Sequence, residues 1–203
     1  MNRILSSVAL AFICLFPVYG QMAWNAKYQN YFNQYKDLAI EQMLKYRIPA
    51  SITLAQGVFE SGAGYSDLAR NGNNHFGIKC HGWQGRKTYH DDDARNECFR
   101  AYDSPGQSYE DHSKFLVQSQ RYRRLFSLKI TDYKGWAHGL KACGYATNPA
   151  YAKKLIDIIE LYKLYKYDSA HGYDKFMAKH ASKDSPALNG GTLHPIKMYN
   201  KNY

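Results

Sequence analysis

Acid is scarce in this chain. Seventeen Asp and Glu face 27 Lys and Arg, a formal charge of +10 over 203 residues, and each carboxylate near an apolar segment therefore invites a reason. Long apolar runs are missing as well: Ile4 to Val18 spans roughly fifteen residues, short of the roughly twenty that a membrane helix needs. No internal repeat stands out, which excludes a solenoid or propeller. No basic run alternates with aromatics in the manner of a single-strand nucleic-acid groove. The acidic stretch Asp91-Asp92-Asp93-Ala94-Arg95 lacks the alternation and glycine of a calcium loop. His75, His81, His90 and His112 do not fall at zinc-ligand spacing, and no metal or cofactor is expected.

What is present begins with a leader. Arg3 supplies a positive start, an apolar stretch follows, and Val18-Tyr19-Gly20 precedes Gln21, which predicts a cleavable secretory signal over residues 1–20 and no stable membrane insertion afterwards. Ile13 stands where a lipoprotein signal would place a small residue before Cys14. Residues 21–167 suffice for one domain. Residues 168–203 lose periodicity and carry Ser185-Pro186, Asn189-Gly190-Gly191 and His194-Pro195, the composition of a linker or tail. Export would put Cys80, Cys98 and Cys143 in an oxidising compartment. Cys80 and Cys98 bracket a segment of hairpin character and are expected to pair, contributing about 3 kcal/mol in the chain-entropy model, with Cys143 left as a buried free thiol. A basic exported monomer meets anionic polymers of the envelope before it meets nucleic acid.

Tyr28, Tyr31, Phe32, Tyr35, Leu38, Ala39 and Met43 recur at three- and four-residue intervals, the pattern of an amphipathic helix. Pro49 suits the first position of a second helix, with Ile52, Ala55 and Phe59 on one face and Gly62 ending it. Ser66 caps a short helix to Arg70. Lys87–His90 and Glu97–Tyr102 are the one convincing strand signal, joined by the acidic turn 91–96. Ser104-Pro105-Gly106-Gln107 has capping-box spacing. Further helices are predicted over Asp132–Cys143 and from Asn148-Pro149 toward Tyr165.

Two features carry chemistry. Glu60 ends an otherwise apolar helix, where burial and the negative end of the helix dipole both favour the protonated carboxyl, and the glycines that follow let a bulky substrate approach. Such a group can donate a proton to a leaving oxygen near neutral pH, which suits glycosidic cleavage. Glycoside hydrolysis commonly needs a second carboxylate, and the hairpin turn offers one. Nineteen tyrosines invite a sugar-stacking account, but those at helical spacing belong to a core.

Ala55-Gln56-Gly57-Val58-Phe59-Glu60-Ser61-Gly62, Asn73-Asn74-His75-Phe76-Gly77-Ile78-Lys79, Phe99-Arg100-Ala101-Tyr102 and Gly144-Tyr145-Ala146-Thr147-Asn148-Pro149-Ala150-Tyr151-Ala152 together resemble the endo-β-N-acetylglucosaminidases of glycoside hydrolase family 73, which cleave peptidoglycan. The four ordered motifs run from about residue 28 to 165. The resemblance implies a mainly α, lysozyme-like α+β fold, with a helical body and a small β-hairpin lobe forming one wall of a substrate cleft. It implies Glu60 as general acid, Asp91 or Asp92 as the second carboxylate where relatives carry Glu, with Asp93 and Glu97 in reserve, and Tyr145 close to the acid. Asn74, Phe76, Trp83 and Tyr151 are expected along the substrate path. The expected activity is cleavage of β-1,4 bonds of the peptidoglycan glycan at N-acetylglucosamine, outside the cytoplasm and at the cell wall. Two readings compete: a non-catalytic wall-binding relative, and a thiol amidase using Cys143 with His138, His112 or His171 as base.

Overall fold

The computed structural model describes residues 22–92 and 94–169; the expected leader and all but the first two residues of the expected tail lie outside them. Helix α1, Ala26–Tyr46, starts where the Asn25 side chain accepts from Lys27 N and stops at Arg47, whose φ of 59° is left-handed. Its aromatic stripe turns Tyr31 and Phe32 inward. Against it packs α2, Ala50–Glu60, in which every residue from Ala50 to Val58 is buried. A helix buried on all sides belongs at the centre of a domain, and α2 touches α1, two later helices and the last 3-10 helix. Gly57 permits the approach of α1, since a Cβ there would lie 2.5 Å from the Tyr31 hydroxyl oxygen.

Ser66 caps α3, Asp67–Gly72, as its spacing predicts. Strands β1, Lys87–His90, and β2, Glu97–Arg100, form an antiparallel hairpin with Lys87 opposite Arg100 and His90 opposite Glu97. A disulfide joins Cys80 to Cys98. Arg100 Nη1 donates to both carboxylate oxygens of Asp111 at 3.0 and 2.8 Å, and the Tyr102 hydroxyl donates to the same group at 2.6 Å. These bonds fasten the lobe to α4, Pro105–Gln118, which Ser104 caps.

Beyond α4 the chain forms a 3-10 helix, Gln120–Ser127, which no sequence periodicity announces. Then come α5, Tyr133–Ala142, capped by Asp132, and α6, Tyr151–Leu161. A final 3-10 helix, Leu164–Asp168, returns to the start of α2. There the buried Asp168 accepts from Ser51 N at 2.8 Å and from Ser51 Oγ at 2.5 Å. These two bonds satisfy a donor at the amino end of α2 that would otherwise be orphaned. A domain boundary drawn at 167 therefore excludes a residue that the fold holds. Cys143, expected to be buried, is a half-buried free thiol. Among the described residues no helix is long and apolar enough to cross a membrane.

Candidate active site

Glu60 is the last residue of α2 and opens onto a cavity of about 460 Å³ between the helical body and the hairpin lobe. The chain leaves it through three consecutive left-handed residues, Gly62, Ala63 and Gly64, with φ of 55°, 61° and 83°. The result is a tight turn directly after the acid. Ser61 locks it, its hydroxyl donating to Gly57 O at 2.5 Å and accepting from Gly64 N at 2.8 Å. Burial pushes the Glu60 pKa up to about 7; a hydrogen bond from Tyr151 opposes the rise and the negative charge of Asp92 adds to it.

Tyr151 does not line the cavity. It is fully buried on α6 behind the acid, where Gln56 Nε2 donates to its hydroxyl oxygen at 3.0 Å. With that lone pair engaged, the single phenolic proton is free to point at Glu60. Tyr145 does line the cavity and stacks on Tyr151, ring centroids 5.6 Å apart and planes 25° apart. Phe76 also lines it and is backed by the buried ring of His112, 3.9 Å away and nearly parallel.

The hairpin separates the two Asp candidates. Asp92 faces the cavity and lies 3.7 Å from Lys79 Nζ. Asp91 is used structurally, its Oδ1 accepting from Asn96 N at 2.7 Å to close the turn, and it does not line the cavity. Glu97 is engaged by Lys79 at 3.0 Å, and Asp93 falls outside the described residues. Like Tyr151, two further expected substrate contacts stand outside the cavity lining. Asn74 is buried with its amide donating to Ile78 O and Arg100 O, so it braces the lobe and is turned from the cavity. Trp83 packs under the Arg100 guanidinium, 4.9 Å from ring to Cζ, and donates Nε1–H to Arg86 O; it too is absent from the lining.

Sequence reasoning passed over Arg121 and Tyr122, which reach the cavity from the unannounced 3-10 helix, and Lys79, quoted in a motif without a role. A basic, aromatic pair beside a gap in helical periodicity was the available signal. As for a thiol nucleophile, both ring nitrogens of His112 lack hydrogen-bond partners and the ring is stacked on Phe76, so it does not address Cys143. His138 is exposed and His171 lies outside the described residues. Among those residues no group of three His, Cys, Asp or Glu is placed to hold a metal.

Comparison with known proteins adds independent information. A family model described as glucosaminidase, mannosyl-glycoprotein endo-beta-N-acetylglucosaminidase, matches residues 36–164. The chain is 34% identical over 154 residues to the exo-glucosaminidase LytG of Bacillus subtilis, covering 70% of this chain and 54% of that protein. It is 29% identical over 142 residues to the peptidoglycan hydrolase FlgJ of Vibrio parahaemolyticus, covering 64% and 46%. The chain thus spans about half the length of these curated relatives. Among solved structures it resembles the catalytic domain of the autolysin Auto from Listeria monocytogenes, with TM-score 0.59, 27% identity and coverage of 73% and 91%. The glycoside hydrolase domain of Salmonella typhimurium FlgJ gives TM-score 0.58 and 26% identity, covering 77% and 97%.

Proposed function

The chain belongs to the glucosaminidase family, glycoside hydrolase family 73, and from that premise we propose that it is an exported peptidoglycan hydrolase in which Glu60 is the general acid. The observation that carries this reading is a carboxyl with a pKa near 7, at the head of a glycine-rich turn, on a cleft of about 460 Å³. A protonated Glu60 donates to the bridging oxygen of a β-1,4 bond as positive charge develops at the anomeric carbon. Asp92, which lines the cavity 3.7 Å from Lys79 Nζ, then acts as base on water approaching the opposite face, which inverts the anomeric centre. The catalytic domain in this reading is residues 21–167 together with Asp168, which ties its end to α2, preceded by a signal over 1–20 and followed by a tail. The disulfide and the basic charge favour an oxidising, polyanion-rich location.

A second route has an observation of its own. Tyr145 lines the cleft and stacks on the tyrosine that hydrogen-bonds Glu60. From there it can polarise the substrate's own 2-acetamido group, whose oxygen would attack the anomeric carbon with retention. Proton NMR of the first-formed anomer separates the two. The position of the cut is proposed as internal and on the reducing side of N-acetylglucosamine. The relatives' names include both endo- and exo-acting enzymes, so product length on intact strands is the deciding measurement. The central test is Glu60→Gln. It should retain the folded circular-dichroism spectrum and lose at least about 10³-fold in kcat on purified sacculi; digestion matching wild type would overturn the acid assignment.

A further inference from the structure

The cleft presents two long cationic side chains in different surroundings. Lys79 Nζ lies 3.0 Å from Glu97 and 3.7 Å from Asp92, so its charge is matched within the hairpin wall. Arg121 lines the same cavity from the 3-10 helix Gln120–Ser127, is exposed, and pairs with no carboxylate among the described residues. Its guanidinium lies against two neighbours. The Cζ lies 5.5 Å from the Tyr122 ring centroid. Nη2 lies 2.8 Å from the point a Cβ on Gly144 would occupy, and Gly144 has φ of 73°. Absence of a side chain at residue 144 thus seats the guanidinium against the backbone that leads into Tyr145. Arg123 and Arg124, exposed on the same 3-10 helix, are also without acidic partners among the described residues.

A neutral sugar strand has no use for an unmatched guanidinium. A carboxylate does, because the planar fork of Arg meets two oxygens at once. In peptidoglycan such carboxylates hang from alternate sugars, on the peptides attached through lactyl groups, whereas a plain N-acetylglucosamine polymer carries none. We propose that Arg121 is a specificity-determining subsite for the carboxylate-bearing peptide substituents of the glycan, with Arg123 and Arg124 extending the attraction beyond the cleft. This rests on the hydrolase reading above.

The test compares soluble, uncross-linked glycan–peptide strands with the same strands after their carboxyls are capped as methylamides. The readout is the ratio of the two kcat/KM values. Wild type should favour the native strand about fivefold at 20 mM NaCl, and 0.5 M NaCl should flatten the ratio to near one. Arg121→Gln should cut it to about two at low salt, the remainder coming from Arg123 and Arg124, and Arg121→Lys should leave a value between that and wild type. A ratio unchanged in Arg121→Gln, or a wild-type ratio of one at low salt, overturns the subsite. If Arg121→Gln fails to fold, the wild-type ratio with its salt dependence and the Lys variant decide alone. Wild type that cuts neither strand overturns the hydrolase reading instead.

Discussion

Replacing Tyr151 by Phe removes one hydroxyl from behind the Glu60 carboxyl, the proposed general acid, and should move the pH at which activity fails. Glu60 titrates near pH 7 in the intact site, with burial raising its pKa and the Tyr151 bond holding it down. A general acid works only while protonated, so kcat/KM should fall on the alkaline side with a midpoint near 7 in wild type. A hydrogen bond to a charged group is worth about 1.5–3 kcal/mol. Allowing for partial solvent access, loss of about 1.4 kcal/mol corresponds to about one pH unit. The alkaline limb of Tyr151→Phe should therefore fall with a midpoint near 8. The variant also strands Gln56 Nε2 in the core, and about 1–3 kcal/mol of stability should go with it. The assay is initial release of soluble reducing ends from sacculi between pH 5 and 9, normalised to folded protein. Carbon NMR of a labelled Glu60 carboxyl provides the direct titration. An alkaline limb that stays put or moves to lower pH would refute the proposed direction of the phenolic proton.

The hairpin gives a paired prediction: Asp92→Asn should lower kcat about 100-fold, while Asp91→Asn, altering a turn contact outside the cavity, should stay within about threefold in the same sacculus assay. Glu60 also has a cost. Its folded pKa lies above the ordinary 4.5, so native stability contributed at acid pH is lost as pH rises from about 4.5 through 7. Glu60→Gln should thus be more stable than wild type at pH 8, by about 2 kcal/mol in urea unfolding, with the difference closing near pH 4.5. At the other end of α2, Asp168→Ala removes two buried bonds to Ser51 and should lower Tm by roughly 4–8 °C in a thermal melt.

Much of the body was legible because it obeys local rules. The aromatic stripe of α1, the capping serines at 66 and 104, Asp132 before α5 and the alternation around the hairpin all state their structure within a few residues. Glu60 stood out for a similar reason, as an acid closing a run of side chains with no solvent face. Other features depend on what lies across the fold. Nothing near Asn74 reveals that its amide is taken by Ile78 and Arg100, and nothing near Asp168 points to Ser51, 117 residues earlier. Asp91 and Asp92 are equivalent by composition and differ only in which one the turn consumes. The arginine-bearing 3-10 helix has no 3.6-residue period to announce it.

The way the hairpin is fastened bears on how a polymer would be handled. Its second strand is linked covalently to Cys80 near the turn, and its base is riveted to α4 through Asp111. A wall tied in both places is expected to keep its gauge when a strand binds, with no large opening stroke.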